Sequence, residues 1–270
     1  MLRVHPRLPF ECTYHFIAVG PQAFVMLDVI RSPRGNTLRL FVVQNEQLQH
    51  HEVIDEPASG GSSLSPTGDR ITRSATGLNF DIGFSVKQSA CAVAPLNPFG
   101  VFAITAKDHP RVVYNGGISF TARNGEARHY TLSNAAGTIS QHYGRTLPEY
   151  LYFTTYPQEA TPQLVGAISR VKTALGFRIT SSYVSCTKPD ATPRTVLSLR
   201  PRWRREDNGK LVIRSRLGEV EITLRNQGLA HAVDHENGVT WFDSRIFIAG
   251  ITTVPLAGLF ETRGPGWEPT

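Results

Sequence analysis

The sequence predicts an all-β protein built from two halves of antiparallel strands. Segments rich in β-branched and aromatic residues recur along all 270 residues, and turns containing glycine or proline separate them. The chain has 23 Gly and 18 Pro but only 2 Met, with no long tract of good helix formers, which disfavours a helical bundle. Strands spaced by roughly 8–15 residues are typical of antiparallel sheets closed into barrels or sandwiches.

In the first half, the predicted strands follow one another through tight turns. The turn at 32–36 (Ser-Pro-Arg-Gly-Asn) leads into the strand 38–43, and the pair Asn124 and Gly125 marks a hairpin. The predicted strands of this half are 13–19, 23–30, 38–43, 78–86, 101–105, 112–121, 127–132, 138–143 and 149–156.

The second half repeats the pattern. Only the segment 163–175 has apolar residues at helical spacing, and its Gly166 and β-branched residues favour a strand. We place the boundary at 157/158, which gives an N-terminal β domain 1–157 and a C-terminal β domain 158–270. The predicted strands of the second half are 163–171, 177–186, 195–199, 211–215, 219–225 and 240–249.

The charge balance does not indicate a nucleic-acid binder. Lys and Arg number 28 against 22 Asp and Glu, a net charge of +6. The basic residues are dispersed except in 200–205, which the turn 207–209 (Asp-Asn-Gly) follows directly. Since no basic stripe or known reading module accompanies this run, we interpret it as a solvated hairpin arm and expect no nucleic-acid partner.

Metal, cofactor and membrane signals are missing from the sequence. The three cysteines, Cys12, Cys91 and Cys186, are widely spaced, which predicts neither a disulfide framework nor a zinc site. Hydrolase, zincin and nucleotide-binding motifs do not occur, so we expect neither metal nor cofactor. Without a signal-peptide core or an apolar run of roughly 18–20 residues, we expect a cytoplasmic protein with no integral membrane segment. The oligomeric state stays open.

The segment 137–156 is the most informative part of the chain. Two aromatic-rich strands flank a corner that contains Gly144, Arg145 and Pro148. In the second of these strands, alternation places Tyr150, Tyr152, Thr154 and Tyr156 on one face and Glu149, Leu151 and Phe153 on the other. A row of tyrosines suits a barrel interior that holds a largely apolar ligand. The alternative is an outer, half-exposed face with its hydroxyl groups in water.

A family resemblance rests on this region. The segments 113–120 (Val-Tyr-Asn-Gly-Gly-Ile-Ser-Phe) and 137–153, with its core 143–148 (Tyr-Gly-Arg-Thr-Leu-Pro), resemble the aromatic-Gly, hairpin and W-G-x-x-F-P pattern of tocopherol cyclase-like proteins. These belong to the lipocalin-like (calycin) superfamily, with carotenoid hydratases and natural-product cyclases of the Diels-Alderase type. Here Tyr143 stands where the motif has Trp, and Leu147 where it has Phe. Both changes preserve strand type and bulk.

The resemblance implies two lipocalin-like halves and a pocket for an apolar polyene, polyketide or prenylated substrate. The implied activity is a cofactor-independent cyclase, working by pericyclic or acid-assisted ring closure. An isoprenoid hydratase or dehydratase is the nearest alternative. A non-catalytic carrier of apolar small molecules and a structural β protein with an aromatic contact face also remain.

The same resemblance suggests roles for individual side chains. Glu149 is the first candidate for a catalytic acid, with Tyr150 and Tyr152 as hydrogen-bond donors or aromatic surfaces. Alternatively, Arg145 stabilises the corner and Glu149 is its ion-pair partner. The candidate substrate-binding residues are His142, Tyr143, Arg145, Phe153, Trp241 and Asp243.

Overall fold

The structure is a computed structural model, and all the regular secondary structure of its described residues is β-strand. It therefore confirms the all-β prediction. Within the described residues, no helix is long and apolar enough to cross a membrane. The described residues are 10–32, 35–45, 47–57, 69–75, 77–92, 104–122, 125–144, 149–158, 161–172, 178–189, 191–198, 201–224, 232–234, 239–264 and 267.

Eight strands of the described chain form the first sheet. The strand order is β4-β3-β2-β1-β8-β7-β6-β5, a meander in which β1 also pairs antiparallel with β8. The strands are β1 Phe10–Gly20, β2 Ala23–Ser32, β3 Gly35–Gln44, β4 Gln47–Pro57, β5 Arg70–Ala75, β6 Leu78–Ala92, β7 Ile104–Thr121 and β8 Ala127–Gly144.

Ten strands of the described chain form the second sheet. The order is β12-β11-β10-β9-β18-β17-β15-β14-β13, and β16 pairs with β17 beside this path. The strands are β9 Glu149–Thr155, β10 Gln163–Lys172, β11 Arg178–Thr187, β12 Arg194–Ser198, β13 Arg202–Arg205, β14 Leu211–Ser215, β15 Gly218–Leu224, β16 Ala232–Asp234, β17 Val239–Ile248 and β18 Leu256–Arg263.

The chain divides into two compact units that correspond to the two sheets. One unit comprises residues 1–89 and 106–145, and the other comprises 90–105 and 146–270. The boundary at 157/158 lies beyond β9, whereas the structural division precedes this strand. The reason is that β9 pairs with β10 and β18 of the second sheet, which sequence proximity to β8 does not reveal.

The first sheet curls around its own apolar core. Leu38 and Leu40 of β3 share this core with Ile71 of β5 and Phe80 of β6. Because β3 and β5 lie near opposite ends of the strand order, a flat sheet would not bring them together. Burial of alternate residues on this inner face removes apolar surface from water and stabilises the curled sheet.

The second sheet encloses a separate core. Val184 and Cys186 of β11 pack with Leu211 of β14 and Phe260 of β18. The strand predicted over 163–171 is confirmed as β10, whose Leu164 also faces this core. Pairing with β9 and β11 therefore decides the conformation of β10 against its partly helical spacing.

The turn predicted at 207–209 joins β13 to β14. Gly209 has a φ of 78°, which an L side chain rarely adopts. The amide of Glu206 donates to the carbonyl oxygen of Lys210 at 2.8 Å and closes the hairpin. Residues 202–205 of the basic run thus lie on a hairpin arm, as predicted.

Candidate functional site

The second sheet buries aromatic side chains on the face opposite its apolar core. Along β9, Leu151 and Phe153 belong to the core cluster, and alternation sends Tyr150 and Tyr152 to the other face. Both tyrosines are buried, with 8% and 2% of their surface exposed. These residues therefore lie on opposite faces of β9, as the alternation predicted.

One row of side chains crosses five strands on this face. The registers place Trp241 of β17 opposite Glu261 of β18, and Glu261 opposite Tyr152 of β9. The row continues through Ala167 of β10 to Tyr183 of β11. Ala167, whose side chain is a single methyl group, lies between the two tyrosines of the row.

Glu261 is the acidic group of this row. Its side chain is fully buried, and each carboxylate oxygen accepts a hydrogen bond. The hydroxyl of Tyr150 donates to Oε1, and Nε1 of Trp241 donates to Oε2 at 2.6 Å. Hydrogen bonds to a carboxylate are stronger than those between neutral groups, so these two donors fix the orientation of Glu261.

A second tyrosine–carboxylate pair lies on the same face. The hydroxyl of Tyr156 donates to Oδ1 of Asp243 at 3.0 Å, and both side chains are buried. The backbone amide of Tyr156 donates to the carbonyl oxygen of Ala257 at 3.0 Å, which continues the β9–β18 pairing past the end of β9. Two phenols of one extended segment thus meet two carboxylates, Glu261 on β18 and Asp243 on β17.

A metal site needs several ligating side chains grouped around one point, which a tyrosine–carboxylate pair does not provide. Across the described ranges, no group of three or more His, Cys, Asp or Glu side chains is arranged to hold a metal ion. The pairs instead suit proton transfer, because each places a phenolic O–H against a carboxylate.

Glu149, the acid predicted from the sequence, lies on the core face of β9. It is opposite Arg170 in the β9–β10 register and shares its face with Phe153, which is fully buried in the core. The carboxylate beside Tyr150 is Glu261 instead. A role of Phe153 in substrate binding stays a prediction, and its observed contacts are those of the core.

The remaining predicted residues belong to the region before β9. His142 lies in β8 of the first sheet, where its Nε2 is 3.0 Å from Oγ of Ser140 and its ring packs edge-on against Tyr14. Burial lowers the pKa of His142 to about 4. Tyr143 also lies in β8, opposite Glu11, but its side chain and all of Arg145 are outside the described residues.

Tyr150, Trp241 and Asp243, which were predicted from the sequence, take part in these hydrogen bonds, whereas Glu261 was not among the predicted residues. The local signal was a single acidic residue following Leu259 and Phe260 in a strand. A lone carboxylate in such a strand is ordinarily a solvated edge group. Its burial depends on pairing with β9 and β17, which lie far away in sequence.

Comparison with known proteins places this arrangement in a known fold. No protein-family model and no curated protein matches the sequence. Among solved structures, a protein of Nitrosomonas europaea provisionally assigned as AttH matches with a TM-score of 0.62 at 12% identity, over 97% of this chain and 94% of the other. The fold is lipocalin-like.

Kievitone hydratase from Nectria haematococca has the same fold. It matches with a TM-score of 0.59 at 13% identity, over 96% of this chain and 90% of the hydratase. At identities this low, the TM-scores establish a shared fold alone, and function has to be argued from the chemistry of the site.

Proposed function

We propose that this protein is an enzyme that adds water to, or removes water from, a carbon–carbon double bond of an apolar small molecule. The observation that carries the proposal is the presence of two buried tyrosine–carboxylate pairs, Tyr150 with Glu261 and Tyr156 with Asp243, on one face of one sheet. Hydration of an alkene needs one group that gives a proton and another that accepts one.

The two pairs divide these tasks. The Tyr156–Asp243 pair delivers a proton to one alkene carbon and leaves a carbocation on the other. Water attacks that cation and loses a proton to the phenolic oxygen of Tyr150, which passes its own proton to Glu261. One proton enters the substrate and one leaves the water, so the product is the alcohol, and exchange with solvent restores both pairs. Dehydration follows the same steps in reverse.

Trp241 has a positioning role in this mechanism. Its indole N–H donates a hydrogen bond to Oε2 of Glu261. The proton from Tyr150 is therefore received by the other carboxylate oxygen, Oε1. A base oriented in advance needs no reorganisation when the proton arrives.

The substrate class follows from the side chains around the pairs. Tyr152 and Tyr183 flank the methyl group of Ala167 on the same buried row. Aromatic rings offer large apolar surfaces, with hydroxyl groups that orient a few polar atoms. An isoprenoid or prenylated molecule suits these surroundings, and a hydratase among proteins of the same fold supports the reaction class.

Acid-triggered ring closure is the second candidate. The aromatic row of Trp241, Tyr152 and Tyr183 favours it, because ring faces stabilise a carbocation that persists long enough to be attacked by a second double bond. Cyclisation shares the protonation step with hydration but adds no water. The two reactions therefore differ in the oxygen content of the product.

The decisive experiment combines isotope labelling with two matched variants. Purified protein is incubated with prenylated phenols and acyclic isoprenoids in H₂¹⁸O, and products are analysed by mass spectrometry. Hydration incorporates one labelled oxygen, whereas cyclisation gives an unlabelled isomer. Retention of every substrate unchanged would favour a carrier and refute both enzymatic proposals.

Glu261→Gln and Glu149→Gln then compare the same substitution on the two faces of the sheet. We expect Glu261→Gln to lower kcat by about 10²–10⁴-fold and Glu149→Gln to lower it by less than about tenfold. Thermal midpoints of both variants show whether each remains folded. If Glu149→Gln lowered kcat more than Glu261→Gln did, Glu149 would be the catalytic acid, as the sequence predicts, and the role proposed for Glu261 would be wrong.

A further inference from the structure

A buried cluster on the first sheet is independent of the tyrosine–carboxylate pairs. Asp108 of β7 is buried, and its Oδ1 accepts a hydrogen bond from Oγ of Ser140 at 2.5 Å. The same Oγ lies 3.0 Å from Nε2 of His142. All three residues belong to one compact unit.

The directions of the two hydrogen bonds made by Ser140 determine which chemistry this cluster supports. The single hydroxyl proton of Ser140 is directed at Asp108, so Ser140 acts as an acceptor toward His142, whose Nε2 then carries a proton. In a nucleophilic triad the histidine would instead accept the serine proton. The cluster is therefore not arranged to activate Ser140; it orients the carboxyl group of Asp108.

The second carboxyl oxygen of Asp108, Oδ2, is not engaged by Ser140. Oδ2 is buried, and among the described residues it has no hydrogen-bond partner. Burial raises the pKa of the Asp108 carboxyl to about 7, although the hydrogen bond from Ser140 opposes the rise. Since Oδ1 is engaged by Ser140, the proton of the neutral acid resides on Oδ2, where a buried O–H without an acceptor is costly.

Two aromatic residues lie on the sheet face that carries Ser140. Tyr14 of β1 is opposite Ser140 in the register, and Phe16 lies two residues further along the same face. Their rings stack with centroids 6.2 Å apart. Next to Tyr14 the same face carries the buried Arg39–Asp28 ion pair, whose charges are paired with each other.

We propose that Asp108 is the hydrogen-bond donor of a second ligand site, on the first sheet, which binds a neutral apolar molecule through a carbonyl or ether oxygen. Ser140 and His142 are positioning residues that hold Oδ2 toward the ligand. The proposal rests on the geometry of the first sheet and does not require the catalytic role of Glu261.

The test uses two neutral fluorescent probes at pH 6. Nile red has an acceptor carbonyl, whereas diphenylhexatriene is apolar and has no oxygen. Wild-type protein should bind both saturably. Asp108→Leu removes the donor and should weaken Nile red binding by about tenfold without changing the affinity for diphenylhexatriene by more than about twofold.

Two further variants keep the test decisive. Asp108→Asn retains a donor in place of Oδ2 and should bind Nile red within about threefold of wild type. Asp108→Ala, which also lacks the donor, replaces Asp108→Leu if the latter does not fold, as judged by its thermal midpoint. Unchanged Nile red binding in the folded donor-free variant would overturn the proposal, as would equal weakening of both probes.

Glu261→Gln separates this site from the one on the second sheet. It should leave the affinity for Nile red unchanged. If Glu261→Gln weakens the dye and the donor-free Asp108 variants do not, the dye binds on the second sheet and the proposal for Asp108 is wrong. Because the assay measures binding without turnover, its result is read separately from that of the hydration experiment.

Discussion

The indole nitrogen of Trp241 lies 2.6 Å from Oε2 of Glu261, its direct cross-strand neighbour in the β17–β18 register. Both side chains are fully buried, so water does not replace either partner of this hydrogen bond. Tyr150 donates to the other carboxylate oxygen. The acid group thus depends on one donor from each adjacent strand.

The first prediction concerns this indole donor. Trp241→Phe keeps an aromatic ring but leaves Oε2 of Glu261 buried without its N–H donor, which should lower the free energy of unfolding by about 1–3 kcal/mol. Urea denaturation measures the change. In the double variant with Glu261→Gln, the two effects should be less than additive, since the partner is already altered. Strict additivity would show that the hydrogen bond contributes nothing.

The second prediction concerns the close approach of Phe153 to Gly166. A Cβ at position 166 would lie 2.5 Å from the Phe153 ring and 2.7 Å from the backbone oxygen of Tyr183. Gly166→Ala should therefore destabilise the protein by about 1–3 kcal/mol, despite the lower chain entropy of alanine. Gly83→Ala is the matched control, because the nearest atom there is 3.8 Å away. Equal urea midpoints for the two variants would contradict the prediction.

The third prediction concerns the packing of Trp267 into the second core. Its side chain is 1% exposed, and the guanidinium of Arg170 lies 4.0 Å above its ring. Trp267→Ala should lower the free energy of unfolding by about 3–5 kcal/mol, and Arg170→Met by about 0.5–2 kcal/mol. Val254→Ala, at a site that is 59% exposed, should change it by less than about 0.5 kcal/mol. A Trp267→Ala midpoint equal to that of Val254→Ala would show that this core forms without the tryptophan.

The fourth prediction concerns the pH dependence of stability. Burial, with a smaller contribution from the charge of His109, lowers the pKa of His15 to about 3, whereas an unfolded histidine titrates near pH 6.5. Between these values the unfolded chain binds the proton and the folded protein does not. The stability present above pH 6.5 is therefore lost as the pH falls, by about 1.4 kcal/mol per pH unit for this group.

His15→Gln should reduce the slope of the unfolding free energy against pH, between pH 6 and pH 4, by about 1.4 kcal/mol per pH unit. Val112→Ala removes apolar volume from the same core and introduces no titrating group, so it should lower stability equally at each pH. Denaturant titrations at several pH values measure both slopes. A His15→Gln slope equal to that of wild type would mean that His15 is protonated in the folded state.

The sequence by itself determined the all-β class, many of the strands and the two faces of β9, but the strands β4, β5 and β18 were not predicted. Period-two alternation is local, so it separates Tyr150 and Tyr152 from Glu149 without knowledge of any neighbour. The local sequence Asp-Asn-Gly predicted the turn at Gly209, where the backbone conformation favours glycine. The boundary at 157/158 was set on local composition, and the structural division before β9 differs from it because β9 pairs with later strands.

Only the tertiary structure decided which carboxylates meet which tyrosines. Tyr150 and Glu261 are 111 residues apart, and their contact exists because β18 pairs with β9 in one particular register. A shift of that register by one residue would turn Glu261 toward the opposite face. Alternation within a single strand contains no information about such a partner, since register depends on the burial of all the paired strands together. For the same reason, the sequence placed Asp243 in a strand, whereas its hydrogen bond to Tyr156 required the folded sheet.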